Sequence, residues 1–271
     1  MRVLVLGGTG FVGRTIVERL LADGHEPALF NRGRNSSLFP GVQQLVGDRY
    51  AGDFGALKDG SWDAVVDVTS YLPRDVAWAM DALGDRVGRY LLVSSHAVID
   101  GAGPGLKPAI RDASWPLTND TYGPSKVACE QDVTARFGPR ATIVRPCKVA
   151  GPYDDQDGLV YWVRAAAVGG RVELPGDRDQ PIQLVDSRDL ARLVVNLLTA
   201  DRGGAFMAAG ADAVTATERA YAALFGMVQR QAAMVSFVSL FELLGIMFIA
   251  LVPLVLLMKR PRTGSAASAG H

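Results

Sequence analysis

Tyr122 and Lys126 stand four positions apart in the run "YGPSK". On a helix that spacing puts both side chains on one face. A phenol ordinarily loses its proton near a pKa of about 10. A neighbouring ammonium favours the phenolate, so Tyr122 gains the chemistry of a general acid or base at a hydroxyl or carbonyl oxygen. The same spacing also occurs as a surface tyrosine beside a solvated lysine. What gives the pair weight is an anion-binding loop upstream. In "GGTGFVG" the glycines Gly7, Gly10 and Gly13 follow the apolar run "RVLVL" (2–6) and open the stretch "RTIVERLLAD", whose Ile16, Val17, Leu20 and Leu21 form a helical stripe. Glycine lets the backbone turn tightly and approach a pyrophosphate, and the helix N-terminus offers unpaired N–H groups to it. Gly7, Thr9, Gly10, Phe11, Val12 and Gly13 are therefore candidate cofactor-binding residues.

The tip of the second strand addresses which dinucleotide fits. A carboxylate there would hold the adenosine ribose hydroxyls. The sequence instead reads "LFNRGR", placing Asn31, Arg32 and Arg34 at the tip. Guanidinium groups suit a 2′-phosphate, which favours NADP and leaves NAD as the alternative. The competing reading makes these arginines solvated loop charges.

These groups need a frame to hold them. Continuous or alternating apolar runs predict strands at 2–6, 26–30, 43–46, 63–68, 89–95, 140–146, 181–185 and 204–210. Helical patterns fill 73–83, 121–136, 158–168 and 187–199 between them, with Thr121 as a candidate cap and Pro124 within the first turn of its helix. Such alternation predicts an α/β fold, a Rossmann-like doubly wound parallel sheet wrapped by helices.

In order and spacing, "GGTGFVG", "VGDRY" (46–50), "VVDVTS" (65–70), "LLVSS" (91–95), "YGPSK", "RPCKVAGPYD" (145–154) and "QLVDSRDLA" (183–191) resemble the extended short-chain dehydrogenase/reductase family, of the NAD-dependent epimerase/dehydratase type. The resemblance covers about residues 1–215. It implies that Asp48 lies near the adenine, that Val68 and Thr69 run along the cofactor, and that Pro146 and Val149 approach the nicotinamide. It also implies that Lys126 holds the nicotinamide ribose. The family places a Ser or Thr just beyond the fifth strand to polarise the substrate oxygen. Aligned on that pattern, "VSSHAVIDG" puts His96 at the hydroxyl position, with Ser95 beside it. Either residue could donate the hydrogen bond, or the site is impaired.

Composition narrows the classes. The 271 residues carry 28 basic and 28 acidic side chains, so no basic field recruits nucleic acid. Cys129 and Cys147 suggest neither a disulfide framework nor a zinc site, and no metal ligand set is expected. The first apolar run ends at glycines after four residues, which does not read as a signal peptide, so a cytoplasmic location is expected.

The C-terminal residues follow a different pattern. After "GAFMAAGADAVTATE" (204–218) the expected substrate lobe is truncated, and 221–262 resembles the last transmembrane helix of a major facilitator superfamily drug/proton antiporter. Residues 235–258 hold one charged side chain, Glu242. As a helix they would extend about 36 Å, enough to cross a bilayer with some tilt. Apolar residues on every face need lipid or deep burial. The alternatives are a core helix or a dimerisation helix, the latter giving a homodimer. Lys259, Arg260 and Arg262 would lie on the outer side of a single span, against the usual charge bias. A fusion, frameshift or chimeric join near 212–222 would account for that conflict. The expected organisation is thus a nucleotide-binding domain over 1–215, a hydrophobic segment over 216–262 with a candidate span at 235–258, and a disordered tail over 263–271.

The sequence therefore predicts an NAD(P)-dependent oxidoreductase, epimerase or dehydratase working on a small molecule with a secondary alcohol or ketone, such as a sugar nucleotide. The rival readings are a catalytically impaired NADP(H)-binding module and a chain whose C-terminus is a membrane-helix fragment.

Overall fold

The computed structural model describes residues 1–101, 105–155, 158–169 and 183–209. The apolar run at 235–258, the antiporter-like stretch 221–262 and the tail 263–271 lie outside the described residues. Among the described residues no helix is long and apolar enough to cross a membrane.

In sequence order the main elements are β1 (Arg2–Leu6), α1 (Phe11–Ala22), β2 (Glu26–Asn31), β3 (Gln43–Val46), β4 (Trp62–Asp67), α2 (Pro73–Leu83), β5 (Val87–Val93), α3 (Asn119–Phe137), β6 (Ala141–Pro146), β7 (Lys148–Ala150), α4 (Gly158–Val168), β8 (Leu184–Asp186), α5 (Ser187–Thr199) and β9 (Gly204–Ala208). Seven strands form one sheet in the order β3-β2-β1-β4-β5-β6-β9, and every pairing in it is parallel. β7 and β8 form a separate parallel pair.

β1 shows why the apolar runs are continuous. Val3 and Val5 face a core shared with Ile16, Val17 and Leu20 of α1 and Leu190, Val194 and Leu198 of α5. Leu4 and Leu6 face the opposite core, with Val76 and Leu83 of α2 and Cys129 and Val133 of α3. A strand covered on both faces needs apolar side chains at every position. The strand order reverses between β1 and β4, and ligands of open parallel sheets bind in the crevice beyond the strand ends at such a reversal.

Several boundaries differ from those the sequence predicts. β4 ends at Asp67 and β5 at Val93, so Val68, Ser94 and Ser95 lie beyond the strands. α3 begins at Asn119, earlier than the predicted start at 121, and its N-cap is Thr118, not Thr121. Thr121 is the third helical residue and completes a reciprocal capping box with Thr118. Its backbone N–H donates to Thr118 Oγ1 at 3.3 Å, and its Oγ1 accepts from Thr118 N–H at 2.9 Å. Pro124 therefore falls in the second turn, where it removes one helical N–H donor. Of the strand expected over 181–185, residues 181 and 182 lie outside the described residues.

Candidate active site

The phosphate loop runs from the end of β1 into α1. Gly7 has φ +94°, and a Cβ there would meet Thr69 Cγ2 at 2.4 Å. A Cβ on Gly13 would meet the Gly7 carbonyl oxygen at 2.1 Å, so this glycine lets helix and loop close on each other. Gly10 differs: a Cβ there finds nothing within 4 Å, which leaves an open cradle above the helix start. Arg14 N–H donates to the Gly10 carbonyl at 2.7 Å, leaving the N–H groups of Phe11, Val12 and Gly13 without helical acceptors. The first turn of α1 carries no acidic residue to compete with an anion.

A cleft of about 330 Å³ opens beside this loop. It brings together Gly7, Thr9, Gly10, Asn31, Arg32, Arg34, Asp48 and Thr69, all expected from sequence. Arg32 and Arg34 are exposed and form no ion pair among the described residues. Asn31 is committed locally, donating to Gln44 Oε1 at 3.0 Å and accepting from Gly33 N–H at 2.7 Å. Asp48 caps the turn that follows it, accepting from Tyr50 N–H at 3.0 Å. Val68, Pro146 and Val149 do not line this cleft; Val68 and Val149 pack against the core on the α1 side, and Pro146 is buried.

Arg49, Tyr50 and Asp155 also line the cleft and were missed by sequence reasoning. Arg49 is buried and forms a two-point pair with Asp67, Nη1 to Oδ1 and Nη2 to Oδ2 both at 2.9 Å. Tyr90 donates to Asp67 Oδ2 at 2.7 Å, and Arg49 Nη1 reaches Thr69 Oγ1 at 3.0 Å. Burial alone would favour the neutral acid. The Arg49 charge and the hydrogen bonds outweigh it and hold the Asp67 carboxyl below its usual range.

The proton-transfer candidates sit at the ends of β4 and β5. Tyr122 is half-buried and Lys126 fully buried on α3. Lys126 Nζ donates to the Ser70 carbonyl at 2.7 Å and to the Val93 carbonyl at 2.8 Å. Ser125 Oγ donates to the Tyr71 carbonyl at 2.7 Å, so consecutive α3 residues fasten the helix to the backbone beyond β4. Gly123 permits a close approach on the other side, since a Cβ there would meet the Ala97 carbonyl oxygen at 2.1 Å. That contact sets α3 against the Ser95–His96 turn.

Ser95 is buried and its Oγ accepts from Ala97 N–H at 3.1 Å, while His96 is exposed. Ser94 is committed elsewhere: its hydroxyl donates to Glu130 Oε1 at 2.5 Å, and Glu130 in turn pairs with Arg145 at 2.6 Å. These partners are 36 and 15 residues apart, so no local spacing announces them.

A parallel sheet with a glycine loop at its reversal point, and a tyrosine–lysine helix after the fifth strand, defines a dinucleotide-binding protein of the short-chain dehydrogenase/reductase class. Residues 3–55 and 61–209 match the NAD dependent epimerase/dehydratase family, and the chain belongs to it. It is 31% identical over 215 residues to the 2'-dehydrokanamycin reductase of Streptomyces kanamyceticus, covering 74% of this chain and 59% of that protein. It is 26% identical over 218 residues to the chloroplast stem-loop binding protein of 41 kDa b of Arabidopsis thaliana, covering 73% and 55%. The chain thus spans little more than half the length of these two relatives. Among solved structures, Pal from Bacillus thuringiensis aligns with a TM-score of 0.63 at 21% identity, covering 77% of this chain and 78% of that one. The UDP-glucose 4-epimerase of Thermus thermophilus, in complex with NAD, aligns at 0.61 and 22% identity, covering 78% of each. These structural likenesses show the fold.

Proposed function

We propose that this chain is an NADP-preferring reductase, epimerase or dehydratase acting at a secondary alcohol or ketone carbon. The observation that carries the reading is Lys126, held by two backbone carbonyls at the ends of β4 and β5, one helical turn from Tyr122. The open cradle at Gly10 and the N–H groups of Phe11, Val12 and Gly13, which have no helical acceptors, suit a diphosphate. The exposed Arg32 and Arg34 suit a 2′-phosphate, with NAD as the alternative. A bound nicotinamide dinucleotide would supply the hydride acceptor or donor.

In this reading Tyr122 Oη exchanges a proton with the substrate oxygen. Lys126, fixed by the Ser70 and Val93 carbonyls, would hold the nicotinamide ribose beside it. Ser95 is the better donor to the substrate oxygen: its Oγ accepts from Ala97 N–H, leaving its own hydrogen free to donate. Relatives named as a 2'-dehydrokanamycin reductase and a UDP-glucose 4-epimerase, the latter 28% identical over 175 residues, carry out reactions that need a proton exchanged at a secondary oxygen. Cofactor absorbance in wild type and Tyr122→Phe tests this. The variant should turn over about 10²–10⁴-fold more slowly while binding NADPH as before. Equal rates would overturn the assignment.

The family match ends at residue 209. With the apolar run at 235–258, this supports a join near 212–222, which the coding DNA across those codons would reveal.

A further inference from the structure

Four aromatic rings form a continuous row from the nucleotide cleft to the proton-transfer residue. Tyr50 lines the cleft, and its ring lies 5.9 Å from that of Trp115 at an angle of 46°. Trp115 lies 5.7 Å from Tyr71 at 52°, and Tyr71 lies 6.4 Å from Tyr122 at 43°. Trp115 is 54% exposed and Tyr50 41% exposed. Large rings left in water beside a site mark a binding surface more often than scattered ones do. The loop bearing Trp115 is fastened to the catalytic helix: Ile110 N–H donates to the Pro124 carbonyl at 3.1 Å, and Arg111 pairs with Asp132 at 2.6 Å.

We propose that Trp115 is the platform on which the substrate ring lies, with Tyr50 and Tyr71 as flanking walls, and that this wall selects a saturated ring over an acyclic molecule. The inference rests on the oxidoreductase reading above. Its basis is the tilt between neighbouring rings, which makes a faceted wall in place of a flat slab. An acyclic polyol must freeze several rotors to lie against two facets at once. A saturated ring projects C–H bonds in several directions and can meet two facets, each with an electron-rich face. Tyr50 and Tyr71 each carry a phenol hydroxyl that can pair with a ring hydroxyl. Burial pushes the Tyr71 phenol up to about 12, so it remains a hydrogen-bond donor at neutral pH.

The test uses the whole protein with saturating NADPH and three probes: myo-inositol, methyl α-D-glucopyranoside and the acyclic polyol glucitol. Dissociation constants are measured by calorimetry for wild type, Trp115→Phe and Trp115→Ala. Both ring probes should bind more tightly than glucitol in wild type. Trp115→Ala should weaken them about tenfold and leave glucitol unchanged, with Trp115→Phe recovering most of the loss. Equal affinity for ring and acyclic probes in wild type, including no binding of either, overturns the proposal. So does a ring preference that survives in Trp115→Ala. NADPH affinity is read separately and should be the same in all three proteins. Failure to bind NADPH alongside a Trp115-dependent ring preference would retire the oxidoreductase reading and keep the platform.

Discussion

The two halves of the site are built from different materials. The half beside α1 is made of backbone: three glycines, a helix start and two solvated arginines at a strand tip. The half beside α3 is made of buried side chains tied to distant backbone and to one another, with Lys126 on Ser70 and Val93, Ser125 on Tyr71, and Ser94 on Glu130. A backbone cradle tolerates change in its surroundings so long as the turn survives. A side-chain network fails when one member is left without its partner. Arg49 joins the halves, since it lines the cleft and holds Asp67 beneath it.

That contrast can be broken at several points. The largest expected effect is on stability, at the joint. Arg49→Met would leave the buried Asp67 charge unpaired and should cost about 3–5 kcal/mol in denaturant unfolding. A loss below about 1 kcal/mol would mean that Asp67 is solvated or protonated in the fold.

Next is the proposed oxygen-polarising donor. Ser95→Ala should lower kcat about 10²–10³-fold with NADPH binding unchanged, whereas His96→Ala should stay near wild type. The reverse order would give the role to His96 and make Ser95 a turn residue.

The smallest effect is in the pH dependence of stability. The Asp67 carboxyl is held below its unfolded value, so its contribution is fully present above the ordinary carboxylate range. It is lost as pH falls through the folded value. Asp186 has the same sign, because hydrogen bonds from Arg188 lower its carboxyl. Unfolding midpoints should hold steady from pH 7 to about 5 and decline below about 4. Burial raises the Asp75 carboxyl, which acts in the opposite sense, so the measurement is made in Asp75→Asn, where an increase in stability on acidification would contradict both pairings.

The same division explains what was legible in the sequence. Gly7, Gly10 and Gly13 act through backbone geometry, so their spacing survives as a pattern. The predicted helices at 73–83, 158–168 and 187–199 match α2, α4 and α5 because period and boundary residues agree. Tyr122 and Lys126 were readable because one helical turn links them. Arg49 and Asp67 are 18 residues apart on different elements, and nothing local marks the pair. Thr121 reads as a cap because it precedes Tyr122, but Thr118 and Thr121 share that work. Trp115 sits in a loop with no periodicity, and its neighbours Tyr50 and Tyr71 come from two other parts of the sequence.

The most direct measurement is a titration of the whole protein with NADPH and NADH, repeated for the Arg32→Ala, Arg34→Ala double variant. NADPH should bind at least about tenfold more tightly than NADH, and the double variant should lose that margin while still binding NADH. Absence of binding by either nucleotide would contradict the account at its base.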